Sequence, residues 1–192
     1  QLYDPHLMKD MDKAAALILE KIRAGVRIRI VGDYDIDGVC STYLLYRGLT
    51  RCGAAVDYQI PERIRDGYGI NESIIRKAKE DGIDTIVTCD NGIAALEQVR
   101  LAKELGMTVI VTDHHEVPFT KKADEKEEVL PPADAIVNPK QRNCSYPNKN
   151  LCGAAVAYKL ILALYERYGI PKAEGEEFIE LAAIATVGDV MD

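Results

Sequence analysis

The stretch 31-VGDYDIDGVCST-42 decides how the rest of the chain is read. Asp33, Asp35 and Asp37 alternate and Gly38 follows at once, a pattern shared by calcium loops and by acids gathered at the end of a strand. An EF-hand loop needs a bidentate Glu at its twelfth position and a helix leading in. Counted from Asp33 that position is Leu44, and the lead-in Arg27-Ile28-Arg29-Ile30-Val31 is rich in β-branched residues without helical period. The lead-in therefore reads as a strand. After the triplet, a helix is predicted from Gly38 to Arg51, with Val39, Tyr43, Tyr46 and Leu49 on one side.

Working outward, Met8 to Ala24 has helical spacing and 55-AVDYQI-60 reads as a second strand stopped by Pro61. A Gly-containing loop, 61-PERIRDGYGIN-71, leads to a helix that Asn71 can cap and that runs to Asp81. Strands 84-DTIVTC-89 and 107-MTVIVT-112 flank a helix from Ala94 to Leu105, and a short strand, 134-DAIVN-138, ends at Pro139. The run 121-KKADEKEE-128 reads as a solvated loop, and His6 is assigned to structure. From Leu151 to Tyr168 and from Glu174 to Thr186 the pattern is helical again. Strands separated by helices predict an α/β fold: a mostly parallel sheet flanked by helices, with a helical C-terminal segment over 151–192.

In such sheets ligands bind beyond the carboxyl ends of the strands. The first strand runs into Asp33, the third into Asp90, the fourth into Asp113-His114-His115, and the short strand ends at Asn138. Each piece has a plainer reading, since Asp90-Asn91-Gly92 is a common turn and paired histidines occur in solvated loops. Four strand ends carrying acids, imidazoles and an amide to one edge point instead to a site. Like-charged carboxylates about 5 Å apart repel by about 3 kcal/mol at an effective dielectric near 20, so they need protons or cations between them. An oxygen-rich donor set with imidazole favours Mn²⁺ or Mg²⁺ over zinc, and four to six ligands suit two ions. The N-terminus of the helix at Gly38 favours an anion beside them, so a phosphate ester is the expected substrate.

The chain has 192 residues, 47% of them hydrophobic, enough for a sizeable core. No apolar run reaches the roughly 18 residues that would span a bilayer, and no signal segment opens the chain at Gln1. Five cysteines without a C-x-x-C pair argue against a disulfide framework or a structural zinc site and fit a cytoplasmic location. The formal net charge of −7 argues against a nucleic-acid partner only at first sight. Six of the acids are Asp33, Asp35, Asp37, Asp90, Asp113 and Asp189; without them the balance is −1.

With 113-DHH-115, 32-GDYDIDG-38 and 89-CDNGI-93, the chain resembles the DHH phosphoesterase superfamily and, within it, the branch of exonucleases specific for single-stranded DNA. The likeness extends through 3-YDPHLMKDMDKA-14, 59-QIPERIRDGYGIN-71, 136-IVNPKQRNCSYP-147, 151-LCGAAVAYKL-160 and 185-ATVGDVMD-192. The resemblance implies a two-metal site. In it Asp90 bridges the ions, Asp37, His114 and Asp189 complete one sphere, and Asp35 and Asp33 serve the other. It places Asp113 and His115 in catalysis, His115 against the scissile phosphate or the leaving oxygen. Arg63 and Tyr68 would bind phosphate and base, Gly153 would let backbone approach another phosphate, and Lys140, Arg142 and Lys159 would extend a basic path. Val31 stands where related families carry a histidine.

Hydrolysis of single-stranded DNA from its 5′ end is the activity implied, with replication or repair proteins as further partners and no membrane. The alternatives are an enzyme for short oligonucleotides or cyclic dinucleotides and a non-catalytic nucleic-acid-binding relative. The resemblance also implies a second, DHH-associated domain, which is absent from a chain ending at Asp192.

Overall fold

Five short apolar strands pair side by side in the order β2-β1-β3-β4-β7, all parallel. They are β1 (Arg27–Val31), β2 (Ala55–Gln59), β3 (Thr85–Cys89), β4 (Thr108–Thr112) and β7 (Ala135–Val137). A computed structural model describes residues 3–62, 69–122 and 125–191. Parallel pairing buries both faces of the sheet, which is why the central strands are nearly continuous apolar runs. Alternation along them feeds two cores. Ile28, Ile30, Val87, Cys89, Ile110, Ala135 and Val137 pack with α1 (Met11–Arg23), α2 (Ile36–Arg51) and α5 (Gly153–Tyr168). Val31, Ile86, Val109, Val111 and Ile136 face α3 (Glu72–Glu80) and α4 (Leu96–Glu104). Full burial of each such aliphatic side chain contributes about 1.5–3 kcal/mol.

The buried side of α2 carries small residues, Gly38, Ser41 and Gly48; a Cβ at Gly38 would collide with Asp33, and one at Gly48 with Ile161 of α5. Val39 and Tyr43 are consequently 45% and 48% exposed, correcting the face expected from spacing alone. The chain leaves β1 for the edge strand β2 and then crosses back to β3, so its winding direction reverses between β1 and β3. That reversal opens a crevice at the carboxyl ends of these two strands.

Several elements differ from expectation. Helix α1 starts at Met11 rather than Met8, because Asp10 takes a left-handed φ of 60° and its Oδ2 accepts the Ile136 N–H at 3.0 Å. Helix α2 starts two residues before Gly38, capped by Asp35. The C-terminal helix divides into α6 (Lys172–Glu176) and α7 (Ile179–Gly188). The charged run after Val117 is an antiparallel hairpin of β5 (Phe119–Lys122) and β6 (Glu125–Glu128), with Lys126 Nζ 4.4 Å from the Phe119 ring centroid. Among the described residues no helix is long and apolar enough to cross a membrane.

Candidate metal centre

The first strand delivers Asp33 to a fully buried position. Neither of its oxygens makes a hydrogen bond of ordinary geometry among the described residues, although the N–H groups of Tyr34 and Gly69 lie near enough to favour the anion. Burial nevertheless holds its pKa above the usual carboxylate value, and the Asp35 charge adds to that. Asp35 is exposed and is the N-cap of α2, accepting the Gly38 N–H at 2.8 Å. This cap brings Asp37 into the first turn, where it points inward and is buried. Its Oδ2 accepts the Gly153 N–H at 2.6 Å and its Oδ1 the Ala154 N–H at 2.7 Å. The positive end of α5 therefore holds this anion.

Asp90 follows β3 with a left-handed φ of 60°, a conformation costing about 1–3 kcal/mol in a non-glycine residue. Its carboxyl is pushed well above the usual range, first by burial and then by the charges of Asp37 and Asp35. A Cβ on Gly153 would lie 2.7 Å from Asp90 Cβ and 2.9 Å from its Oδ1, so only glycine lets α5 begin there. His114 Nε2 is 3.0 Å from Asp90 Oδ1, 3.5 Å from Asp37 Oδ2 and 3.7 Å from Asp189 Oδ2. Its Nδ1 is buried and unpartnered among the described residues. Asp189, at the end of α7, has its pKa raised by burial, against the opposing influence of His114.

Within this cluster three groups offer ligand atoms within 4.8 Å of one another: Asp33–Asp35–Asp90, Asp37–His114–Asp189 and Asp90–His114–His115. Chain segments far apart in sequence thus supply oxygen donors and imidazole to adjacent groups, and Asp90–His114–His115 links the other two, sharing Asp90 with one and His114 with the other. Orphaned buried oxygens on Asp33 and a donor set without thiolate fit a hard or borderline divalent cation.

Asp113 plays a different part. Its Oδ2 accepts the Ile93 N–H at 2.9 Å, and its Oδ1 accepts the N–H groups of His114 at 2.7 Å and His115 at 3.1 Å and meets His115 Nδ1 at 2.7 Å. Expected in catalysis, it spends its oxygens on these backbone N–H groups and on the His115 ring. Burial raises the Asp113 pKa, but the hydrogen bond and charge of His115, with the backbone donors, outweigh this and leave it lowered. His115 is raised in turn by the hydrogen bond to Asp113, against burial. Its ring is 44% exposed and borders a cleft of about 330 Å³ that Gly69, Ile70, Ile93 and Gln98 also line. Asn138 Nδ2 donates to His115 O at 3.0 Å, steadying that backbone.

Other expectations move. Gly153, expected to let backbone approach a phosphate, gives its N–H to Asp37 and makes room for Asp90. Lys159 is buried, and its Nζ donates to Tyr3 O at 2.6 Å, which removes it from any basic path. It instead borders a larger cavity of about 770 Å³ between the N-terminal segment and α5, which none of the clustered acids lines. Lys140 pairs with Glu116 at 2.9 Å, and the Arg142 N–H is accepted by Glu128. Arg63 and Tyr68 lie outside the described residues. Asn91, read from sequence as a turn residue, is buried and bonds to three separate segments; its D-N-G context was the only signal.

The sequence model of the DHH family, N-terminal domain, matches residues 27–186. The single-stranded-DNA-specific exonuclease RecJ of Bacillus subtilis (strain 168) is 45% identical over 189 residues, covering 98% of this chain and 22% of that protein. RecJ of Haemophilus influenzae is 37% identical over 198 residues, covering 99% of this chain and 33% of that protein. Among solved structures, exonuclease RecJ bound to manganese superposes with a TM-score of 0.82 at 38% identity, covering 96% of this chain and 44% of that one. The chain spans about a fifth to a third of the length of the curated relatives it matches.

Proposed function

The chain belongs to the DHH family, and from that premise we propose that it is the metal-binding part of a phosphodiesterase that hydrolyses single-stranded DNA from the 5′ end, in recombination and repair. The observation that carries the reading is the sharing of Asp90 between neighbouring donor groups, Asp33–Asp35–Asp90 on one side and Asp90 with His114 on the other. Similarity to exonucleases of that specificity, one of them bound to manganese, supports both the substrate and the cofactor. Two Mn²⁺ or Mg²⁺ ions would be held by these groups, with Asp37 and Asp189 completing the second. Bound there, they supply Lewis acidity for the phosphate and for the attacking water.

The remaining work falls to the chain's own residues. Asp113 fixes the His115 ring through Nδ1 and favours the imidazolium, so a proton at Nε2 is available to the phosphate or the leaving oxygen. The cleft beside His115 would receive the end of the strand, with Arg63 and Tyr68 contributing phosphate and base contacts. A cytoplasmic location fits a DNA substrate and five unpaired cysteines.

The test is Asp37→Asn in the longer protein of which such a domain is part. Mn²⁺-dependent release of nucleotides from a 5′-ended single strand should fall at least about a thousandfold, equivalent to about 4 kcal/mol, with an unchanged circular dichroism spectrum. Undiminished cleavage would remove the assignment.

A further inference from the structure

Backbone pairing between β1 and β3 ends at Val31 and Thr88, whereas the acids that matter stand beyond it at Asp33 and Asp90. The side chain of Asn91 spans that gap. Its Nδ2 lies 3.0 Å from Val31 O, 3.1 Å from Gly32 O and 2.9 Å from Cys89 O, and its Oδ1 accepts the Ile70 N–H at 3.1 Å. Turning the amide over would set Oδ1 against three carbonyls, so the network fixes its orientation. Its backbone is held as well, since Thr88 Oγ1 donates to Asn91 O at 2.8 Å. Gly69 completes the clamp: its φ is +65°, and a Cβ there would lie 2.9 Å from Asn91 Cβ and 3.1 Å from Oδ1. Asn91 itself is 1% exposed.

We propose that Asn91 is a positioning residue for one of the two cation positions, setting the separation of Asp33 and Asp90 and coupling it to the backbone at Gly69–Ile70. The inference rests on the metal reading given above. The two donor groups differ in what holds them. Asp33–Asp35–Asp90 straddles the split between β1 and β3 that Asn91 closes. In Asp37–His114–Asp189, Asp37 is anchored by the first N–H groups of α5, and among the described residues the Asn91 amide hydrogen-bonds to none of the three. Loss of the amide therefore weakens the Asp33–Asp35–Asp90 position most, while the other, which keeps Asp37, His114 and Asp189, feels only the displacement of the shared Asp90 and weakens less. Coupling between sites is reciprocal. A cation that draws Asp33 and Asp90 together also steadies the amide and protects the Ile70 N–H.

Mn²⁺ titration calorimetry and hydrogen–deuterium exchange on this chain, with Asn91→Ala and Asn91→Asp, test this. Asn91→Asp keeps the size and the acceptor for Ile70 but has no donor for the three carbonyls. The unaltered chain should bind two ions, and in each variant one should weaken about 30-fold and the other, through the shared Asp90, by much less. In the unaltered chain, saturating Mn²⁺ should slow exchange at the Ile70 amide about tenfold. A purely structural role would lower thermal stability without changing the ratio of the two affinities. Two ions bound by both variants with original affinities would overturn the proposal, as would Ile70 exchange in the unaltered chain that ignores Mn²⁺; the second result needs no variant to fold. Absence of any Mn²⁺ uptake by the unaltered chain would instead overturn the metal reading, and this inference with it.

Discussion

Gly153 lacks a Cβ because Asp90 stands where one would be. At the scale of single residues, the centre is built by such exclusions as much as by ligands: α5 begins at a glycine so that its N–H groups reach Asp37 while the Asp90 carboxylate fits beneath. Gly153→Ala should therefore displace Asp90, lower the stability of the metal-free chain by about 1–3 kcal/mol and abolish most of the Mn²⁺-induced rise in melting temperature. A variant with the same Mn²⁺-dependent thermal shift as the unaltered chain would show that Asp90 tolerates the methyl. Asp33, Asp90 and His114 were legible in sequence because strand ends carry their side chains to one edge, whereas Asp189, at the end of α7, was reached only through the family resemblance. The roles of Gly153, Asn91 and Asp113 were not, since each depends on a backbone hydrogen bond or close contact that no local spacing encodes.

At the scale of elements, strands were legible because β-branched runs four to six residues long between turn residues have few other uses. The pairing of β5 with β6 was not, because its register is carried by a Lys–aromatic contact and backbone pairing without an apolar face. Nor was the clasp at the start of the chain visible: His6 meets Glu166 of α5 at 2.9 Å and Asp12 of α1 at 2.7 Å. The Glu166 hydrogen bond raises the His6 pKa, with Asp12 adding to it against burial. A raised histidine contributes stability that is complete below its ordinary value of 6.5 and is lost as pH rises through the higher folded value. Solvent screening keeps this under about 1 kcal/mol, or about 2–4 °C in melting temperature. Between pH 6 and pH 8 that loss should appear in the unaltered chain and vanish in His6→Gln; an identical pH dependence in both would assign it elsewhere.

For the molecule as a whole, a formal charge of −7 and the proposed polyanionic substrate are compatible because the negative charge is not evenly spread. Burial first, and then the neighbouring like charges, raise the pKa values of Asp33, Asp90 and Asp189, and bound divalent cations would relieve that repulsion. The α/β architecture and the edge carrying the site were readable from the chain because parallel strands and crossover helices leave few topologies. The central claim is that two cations share Asp90. Mn²⁺ titration calorimetry of the unaltered chain beside Asp90→Asn tests it most directly. Two ions should bind the unaltered chain, and affinity at both positions should fall at least about 100-fold in the variant; equal stoichiometry and affinity in the two proteins would contradict the account.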